Sequence, residues 1–367
     1  TQFINAFVER KHLSEVAVMR IALPMTEGIP PLVDWPDDLC AAIGNHIYMI
    51  KGGFYYTGED YMPLDEPAIA EAARDMVKKG LKTVAITSIF APIRQDFEER
   101  AAAIIKSIAP EVTITMSNQV GSLNLIEREN AAIINASLLR LSQHAIDSYR
   151  TSLAALDIRG RLYVTQNDGT LMSASMAEQH PVMTCSAGPT NSMRGAGFLS
   201  GLKEAVVIDV GGTTTDVGFL LHGFPRETID ANDIGGVRTN FSMPDILSIG
   251  LGGGSIVDEA SGESVGPQSV GYRILEKARI FGGDTLTATD IAVAAGQCQI
   301  GDETAVSEVN QAVIDAALHE IHKKIETAID RMKTSATPVP AILVGGGHIL
   351  VSRSLKGVAE LHRPEHA

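Results

Sequence analysis

The chain has 367 residues, 45% hydrophobic and 20% charged, which is enough for two or three domains with their own cores and too apolar for disorder. Its net charge of −14 argues against nucleic acid or an anionic membrane as partner, so an anionic ligand would need local help from metal, loop amides and helix N-termini. Cys40, Cys185 and Cys298 lie far apart with no CxxC spacing, which reads as reduced thiols of a cytoplasmic protein and weighs against structural zinc or an iron–sulfur cluster.

No apolar run approaches the ~20 residues of a membrane span, and no signal peptide is read. The chain opens at Thr1-Gln2-Phe3-Ile4-Asn5-Ala6 without an initiating Met, as a fragment or processed chain would. Residues 16–23 form an apolar strand candidate. A helix is expected over 67–79, with Asp65 as cap, Pro67 in the first turn and Gly80 as the stop. A strand over 81–90, a helix over 97–108 and a strand over 112–116 follow. That alternation implies parallel βαβ units.

One long helical pattern runs from 125 to about 156. Its polar cluster Glu127-Arg128-Glu129-Asn130 reads first as a solvated helix start. A strand over 161–165 then delivers Gln166-Asn167-Asp168-Gly169-Thr170 at its end, where α/β proteins place chemistry. A short strand is expected over 181–185. Next comes a loop, Ser186-Ala187-Gly188-Pro189-Thr190-Asn191-Ser192, opening a helix over 193–200, and its amides offer an anion site.

The central stretch is 205–221. An apolar run ends at Asp209, gives way to Val210-Gly211-Gly212-Thr213-Thr214-Thr215-Asp216, and a second apolar run begins at Val217. This predicts a strand, a tight loop and a returning strand. Gly211 and Gly212 let the backbone approach a bound group, while the hydroxyls of Thr213, Thr214 and Thr215 and the loop amides can wrap phosphate oxygens. Asp209 and Asp216 flank the loop as carboxylates suited to hydrated Mg²⁺. The alternative is an ordinary Gly/Thr hairpin with two solvated aspartates.

Beyond Gly235-Gly236-Val237-Arg238-Thr239-Asn240-Phe241 a strand is expected over 246–249. It runs into Gly250-Leu251-Gly252-Gly253-Gly254-Ser255, placed to admit ligand or backbone closely. Helical patterns follow at 272–280, 288–295 and 303–333. The last carries His319 and His322, which could share a face as metal ligands, although a solvated pair is the ordinary reading. A buried strand over 341–344 ends in Gly345-Gly346-Gly347-His348, a turn suited to the flat face of adenine.

Taken together, these motifs resemble the hydantoinase/oxoprolinase family, hydantoin-utilisation A type. The resemblance rests on Asn5-Ala6-Phe7-Val8-Glu9-Arg10, Glu127-Arg128-Glu129-Asn130, Asn167-Asp168-Gly169-Thr170 and Gly188-Pro189. It is extended by the Asp209 to Asp216 loop, Gly266-Pro267-Gln268-Ser269-Val270-Gly271 and Phe281-Gly282-Gly283-Asp284-Thr285-Leu286-Thr287-Ala288-Thr289-Asp290. It implies an α/β, two-lobed actin/Hsp70-like (ribonuclease H-like) ATPase fold with the first lobe incomplete. The expected divisions are 1–122, 123–203 and 204–367, the last carrying the phosphate and adenosine loops.

The resemblance further implies ATP and Mg as cofactors, with Asp168 handling a proton, Asn167 and Arg238 as weaker candidates for orienting substrate, and Asp209 and Asp216 on the metal. Gly211, Gly212 and the three threonines would serve phosphate. Gly188, Thr190, Asn191, Gly252, Gly253, Gly254 and Ser255 would line the cleft, and Gly345, Gly346 and Gly347 the adenosine end. The implied reaction is ATP-dependent opening of a five-membered cyclic amide such as hydantoin, N-methylhydantoin or 5-oxoproline. A ketone carboxylase subunit and an ATPase that reactivates another enzyme are the alternatives. Partners implied are the small ring and a B-type subunit, with a homo-oligomer left open and no nucleic acid or membrane. The family pattern places an Asp-x-Gly-Gly-Thr loop upstream of Asn5 and a helix beyond Ala367. The chain as given is therefore expected to bind nucleotide weakly.

Overall fold

The apolar alternation of the first third produces a parallel sheet. The computed structural model describes residues 2–228, 232–240 and 242–365, so residues 229–231, Phe241 and the terminal Thr1, His366 and Ala367 lie outside the described residues. In chain order the elements are α1 (Gln2–Val8), β1 (Val16–Leu23), α2 (Asp37–Ile43), β2 (His46–Lys51), the small hairpin β3 (Gly53–Phe54) and β4 (Asp60–Met62), and α3 (Glu66–Lys79). There follow β5 (Thr83–Ser88), α4 (Asp96–Ile108), β6 (Thr113–Met116), α5 (Leu125–Ala155), the hairpin β7 (Tyr163–Thr165) and β8 (Leu171–Ser173), and α6 (Ala174–Gln179).

β1 is buried along almost its whole length and pairs in parallel with β2 and β5, and β5 with β6, giving the order β2-β1-β5-β6. Because β1 continues to one side and β5 to the other, the strand order reverses between them, where open parallel sheets bind ligands. Met19, Ile21 and Ile86 pack under Ile69 and Met76 of α3 and Phe97 and Ile105 of α4. Val16, Val18 and Ala85, on the opposite face, meet Phe7 of α1, Leu39 of α2 and Ile133 and Ile134 of α5. Asp65 accepts from the Ala68 amide and Gly80 adopts φ 72°, so the helix bounds follow the cap and the glycine stop.

This first compact unit comprises Thr1–Ala187 and Thr228–Met243, and the second Gly188–Glu227 and Pro244–Ala367. The remaining elements are α7 (Ala187–Ser200), β9 (Ala205–Val210), β10 (Thr215–Leu221), β11 (Phe224–Pro225), and the hairpin β12 (Asn232–Ile234) and β13 (Val237–Thr239), which belongs to the first unit. Then come β14 (Ile246–Ile249), β15 (Ser255–Val257), β16 (Val265–Ser269), α8 (Ile274–Lys277), α9 (Ala288–Ala294), α10 (Gln311–Met332), β17 (Val339–Val344) and β18 (Val358–His362). In the second unit β9 lies between antiparallel β10 and parallel β17, β18 flanks β17, and β14 joins β10. Val206, Ile208 and Val210 face Ile321, Ile325 and Ile329 of α10, while Ala205 and Val207 face Met193 and Ala196 of α7.

Several expected bounds shift for local reasons. Residues 181–184 form a 3-10 turn rather than a strand, with Pro181 in its first position. The helix expected from 193 begins at Ala187, because Pro189 sits in a first turn whose amides need no partner. The pattern over 272–280 breaks into short pieces between Gly271 and Gly282, both at positive φ. The helix expected from 303 starts at Gln311, where the Asn310 side chain accepts from the Ala312 amide. No described helix is long and apolar enough to cross a membrane.

Candidate functional site

The Asp209 to Asp216 stretch folds as read: β9 and β10 pair antiparallel with Asp209 opposite Asp216, and the Gly211 amide donates to the Thr214 carbonyl at 2.9 Å to close the loop. Since β17 runs parallel to β9 with Val344 opposite Asp209, Gly345 leaves the sheet at the same edge. β14 runs antiparallel to β10 with Ile249 opposite Thr215, so Gly250 leaves there too. Three glycine-rich turns therefore converge on one edge of the second unit's sheet.

Backbone bonds weld them together. The Gly253 amide donates to the Gly211 carbonyl at 3.0 Å, Gly254 to Gly212 at 2.7 Å, and Gly347 to Val210 at 2.7 Å. A Cβ on Gly252 would sit 2.6 Å from the Thr213 nitrogen, and one on Gly347 2.8 Å from the Gly211 carbonyl oxygen. These glycines are needed because backbone meets backbone. Gly212 and Gly346, by contrast, have open space where a side chain would point.

The hydroxyls divide in the same way. Thr215 is buried and donates to the Leu251 carbonyl at 2.7 Å, and the buried Ser255 hydroxyl accepts from the Gly252 amide at 2.9 Å. Thr213 and Thr214 are exposed. The hairpin thus spends its third threonine and Ser255 on its own framework and presents the first two to solvent. Gly188, Thr190 and Asn191 lie at the start of α7 and not in a loop ahead of it. A cavity of about 240 Å³ lined by Ser192, Gly195, Ala196, Leu199, Asp209, Val344 and Gly345 separates α7 from that sheet edge.

Asp216 accepts from the Ser248 hydroxyl. Burial pushes its carboxyl above the ordinary range and the facing Asp209 charge adds to this, while the Ser248 bond opposes. Two carboxylates facing each other across the hairpin fit a divalent ion, which one or two carboxylates and phosphate oxygens commonly hold. A carboxyl raised on folding contributes stability at low pH that is lost as pH rises through its folded value. In metal-free protein, Asp216→Asn should therefore raise the second unit's unfolding midpoint at pH 7 and gain nothing at pH 4, read by circular dichroism. Equal gains at both would refute this account. Cation binding should weaken on acidification at a pH above the usual carboxylate range near 4.

Gly345 has φ 88°, and a Cβ there would strike Asp209 Oδ1 and approach the Val210 carbonyl to 2.5 Å. Gly345→Ala is expected to cost about 1–3 kcal/mol from the left-handed backbone alone and to displace Asp209. Its urea midpoint, with Gly346→Ala as the tolerated control, checks this.

In the first unit, Asp168 Oδ1 accepts from the Thr170 amide at 2.8 Å and its hydroxyl at 2.7 Å, a turn of the kind aspartate makes with its own backbone. Asn167 is buried, its amide donating to the Ser242 carbonyl and its backbone N–H to Met183 at 2.8 Å. His319 is exposed while His322 is buried, and burial holds the His322 pKa below its ordinary value. No cluster of three or more metal-ligating side chains occurs among the described residues.

The Glu127 to Asn130 cluster departs most from its sequence reading. Arg20 of β1 binds Glu129 through Nε at 2.7 Å and Nη2 at 2.5 Å, both side chains essentially fully buried. Arg128, also buried, donates to the Ser88 carbonyl at 2.7 Å, to the Ser117 hydroxyl at 3.0 Å and to the Ser122 carbonyl at 3.0 Å. Asn130 accepts from Trp35 Nε1 at 2.8 Å and donates to the Arg238 carbonyl at 2.8 Å. Only Glu127 keeps an open side, with Arg238 Nη2 at 3.6 Å. No signal in the sequence paired Arg20 with Glu129, which are 109 positions apart.

A family model described as hydantoinase/oxoprolinase matches residues 128–344, and one described as the hydantoinase/oxoprolinase N-terminal region matches residues 1–109. This chain belongs to the hydantoinase/oxoprolinase family. The family chain is 28% identical over 252 residues to the acetophenone carboxylase gamma subunit of Aromatoleum aromaticum, covering 65% of this chain and 34% of that protein. It is 25% identical over 290 residues to the caprolactamase subunit alpha of Pseudomonas jessenii, covering 77% and 42%. The chain thus spans less than half of either relative. Among solved structures, ATP-dependent caprolactamase from Pseudomonas jessenii superposes with TM-score 0.73 at 20% identity, over 95% of this chain and 56% of that one. Nucleotide-free acetone carboxylase does so with TM-score 0.60 at 17% identity, with the same coverage. The fold of this hydantoinase/oxoprolinase member is accordingly the α/β, actin/Hsp70-like ATPase type.

Proposed function

We propose that this chain is the nucleotide-binding part of an ATP-dependent hydrolase that opens a small cyclic amide. The observation that carries the reading is the convergence of three glycine turns beside the Asp209 and Asp216 pair at one sheet edge. The exposed Thr213 and Thr214 hydroxyls and hairpin amides would take phosphate oxygens, with the N-terminal end of α7, where Gly188, Thr190 and Asn191 lie, as a second anion contact. Gly345, Gly346 and Gly347 would border the adenosine. Asp209 and Asp216 would hold Mg²⁺, which when bound neutralises phosphate charge. The likeness to a protein named caprolactamase supports a lactam as substrate.

A lactam resists water through amide resonance, and phosphorylation of its oxygen removes that protection. The lactam oxygen forms a bond to the γ-phosphorus as the bond to the β-phosphate oxygen breaks and ADP leaves. Water adds to the ring carbon, the C–N bond breaks, and the nitrogen takes a proton. A second water cleaves the acyl phosphate so formed, freeing carboxylate and phosphate, and the sum consumes ATP, the lactam and two waters. Positioning and charge neutralisation supply most of the acceleration. Asp168, with Oδ1 pinned by Thr170, would use Oδ2 to move the proton.

The 28% identity to the acetophenone carboxylase subunit supports a second reading, with a ketone as phosphoryl acceptor. Phosphate release from MgATP by the parent assembly separates the two. Stimulation by hydantoin, 5-oxoproline or ε-caprolactam is expected. Stimulation by ketones alone would move the assignment to carboxylation, and stimulation by a partner protein alone would point to an ATPase that reactivates another enzyme. A B-type subunit is the proposed partner and the cytoplasm the proposed location.

A further inference from the structure

The first unit contains a cavity of about 190 Å³ enclosed by the loop at 30–35, the start of α5 and the β12–β13 hairpin. At that size it is below the ~300–1,000 Å³ of sites for drug-sized ligands, so it suits one small ring. Leu32, Trp35 and Val237 give it apolar walls. Trp35 is fixed twice, by its bond to Asn130 and by an edge contact to Phe7 at 6.0 Å. Asn130 is spent on Trp35 and on the Arg238 carbonyl. Arg20, which also lines the cavity, is neutralised by Glu129.

Among the remaining charged groups of the wall, Glu127 and the largely exposed Arg238 lie side by side as a loose ion pair at 3.6 Å, longer than a hydrogen bond. A carboxylate and a guanidinium side by side offer one acceptor and one donor to the same edge of a ligand. Rings of five to seven atoms hold their amide cis, so N–H and C=O point to one side. Open-chain amides are trans by about 2.5–4 kcal/mol and present the two groups on opposite sides. Asp34 and Asp233 add further negative charge to the wall. A ring bearing its own carboxylate would thus meet more repulsion than attraction.

We propose that this cavity is the ring pocket: it takes a neutral cyclic amide of five to seven ring atoms, whose N–H donates to Glu127 and whose carbonyl accepts from Arg238, in preference to 5-oxoproline. The assignment rests on the cyclic-amide reading above and names the substrate within it. Arg238 and Glu127 act as binding residues that set which edge of the ring is presented.

Trp35 is the only tryptophan in the chain, so its fluorescence reports on this pocket without nucleotide. Titration of the chain with 2-pyrrolidinone, hydantoin and ε-caprolactam should give a saturable change. N-methyl-2-pyrrolidinone and N-methylacetamide should bind at least ~10-fold more weakly, the expected loss of one hydrogen bond to a charged group, and 5-oxoproline at least ~10-fold more weakly through repulsion of its carboxylate. Arg238→Met and Glu127→Leu should each weaken 2-pyrrolidinone by a similar factor and leave the urea midpoint unchanged, because both side chains sit at the cavity wall. Equal binding of N-methylated and N–H rings, or no saturable change with any lactam, would overturn the pocket. If lactams still stimulate phosphate release by the parent assembly, with KM unchanged in Arg238→Met, the hydrolase reading survives and the pocket falls. A Trp35 response to cyclopentanone with none to lactams, together with phosphate release on ketones alone, would sink both.

Discussion

Asp209→Ala in the parent assembly is expected to lower MgATP-driven phosphate release by ~10²–10³-fold, the usual cost of removing one preorganised charge-stabilising group from an active site. The variant should fold, because Asp209 is only partly buried and is the next-to-last residue of a strand whose other side chains make the core. Asp209→Asn should recover folding fully and activity little, since an amide keeps the shape and loses the charge that a divalent ion needs. Thr215→Val tests the division of the threonines from the other side. Its hydroxyl bonds the Leu251 carbonyl, so it should lose stability, by about 0.5–1.5 kcal/mol, and leave the KM for ATP nearly unchanged. Thr213→Val should do the reverse. Phosphate release and urea midpoints measured on the four variants decide the matter, and a Thr215→Val defect confined to KM would reject the assignment.

Arg20→Ala or Glu129→Ala should each destabilise the first unit by about 3–5 kcal/mol, the cost of leaving one buried charge without its partner. The pair is fully buried and bidentate, so water cannot replace the missing half. The double replacement Arg20→Met with Glu129→Leu removes both charges and should recover most of the loss. Trp35 lies in the first unit, so urea unfolding followed by its fluorescence reads that unit alone. If each single replacement cost under 1 kcal/mol, the pair would be behaving as an exposed one, and the buried arrangement would be wrong.

Much of the fold was legible because it is written locally. The strand at Val16–Leu23, the helix with its Asp65 cap and Gly80 stop, the long α5 and the Asp209 to Asp216 hairpin all formed at or within a few residues of their expected bounds. α1, α2 and β2 were not read from the sequence. Each is short, and their residues Phe7, Leu39 and Ile50 are defined as core by the elements they pack on rather than by their own periodicity. The helix patterns over 272–280 and 303–333 were read too long. Hydrophobic spacing does not register the positive φ at Gly271 and Gly282 or the cap at Asn310.

The site divides along the same line. The sequence by itself determined the chemistry on offer: two carboxylates flanking a Gly-Gly-Thr-Thr-Thr turn, further glycine turns after later strands, and a family order of motifs. Those depend on residue type and neighbours along the chain. Tertiary structure alone decided which glycines face backbone, which threonines are spent on the framework, and that Glu129 meets Arg20 from 109 positions away. It also set Glu127, in the first turn of α5, and the exposed Arg238 beside one another at the wall of one cavity. The reason is physical. A side chain's role depends on which partners and how much water surround it, and strand register and helix packing set both only when the chain closes on itself.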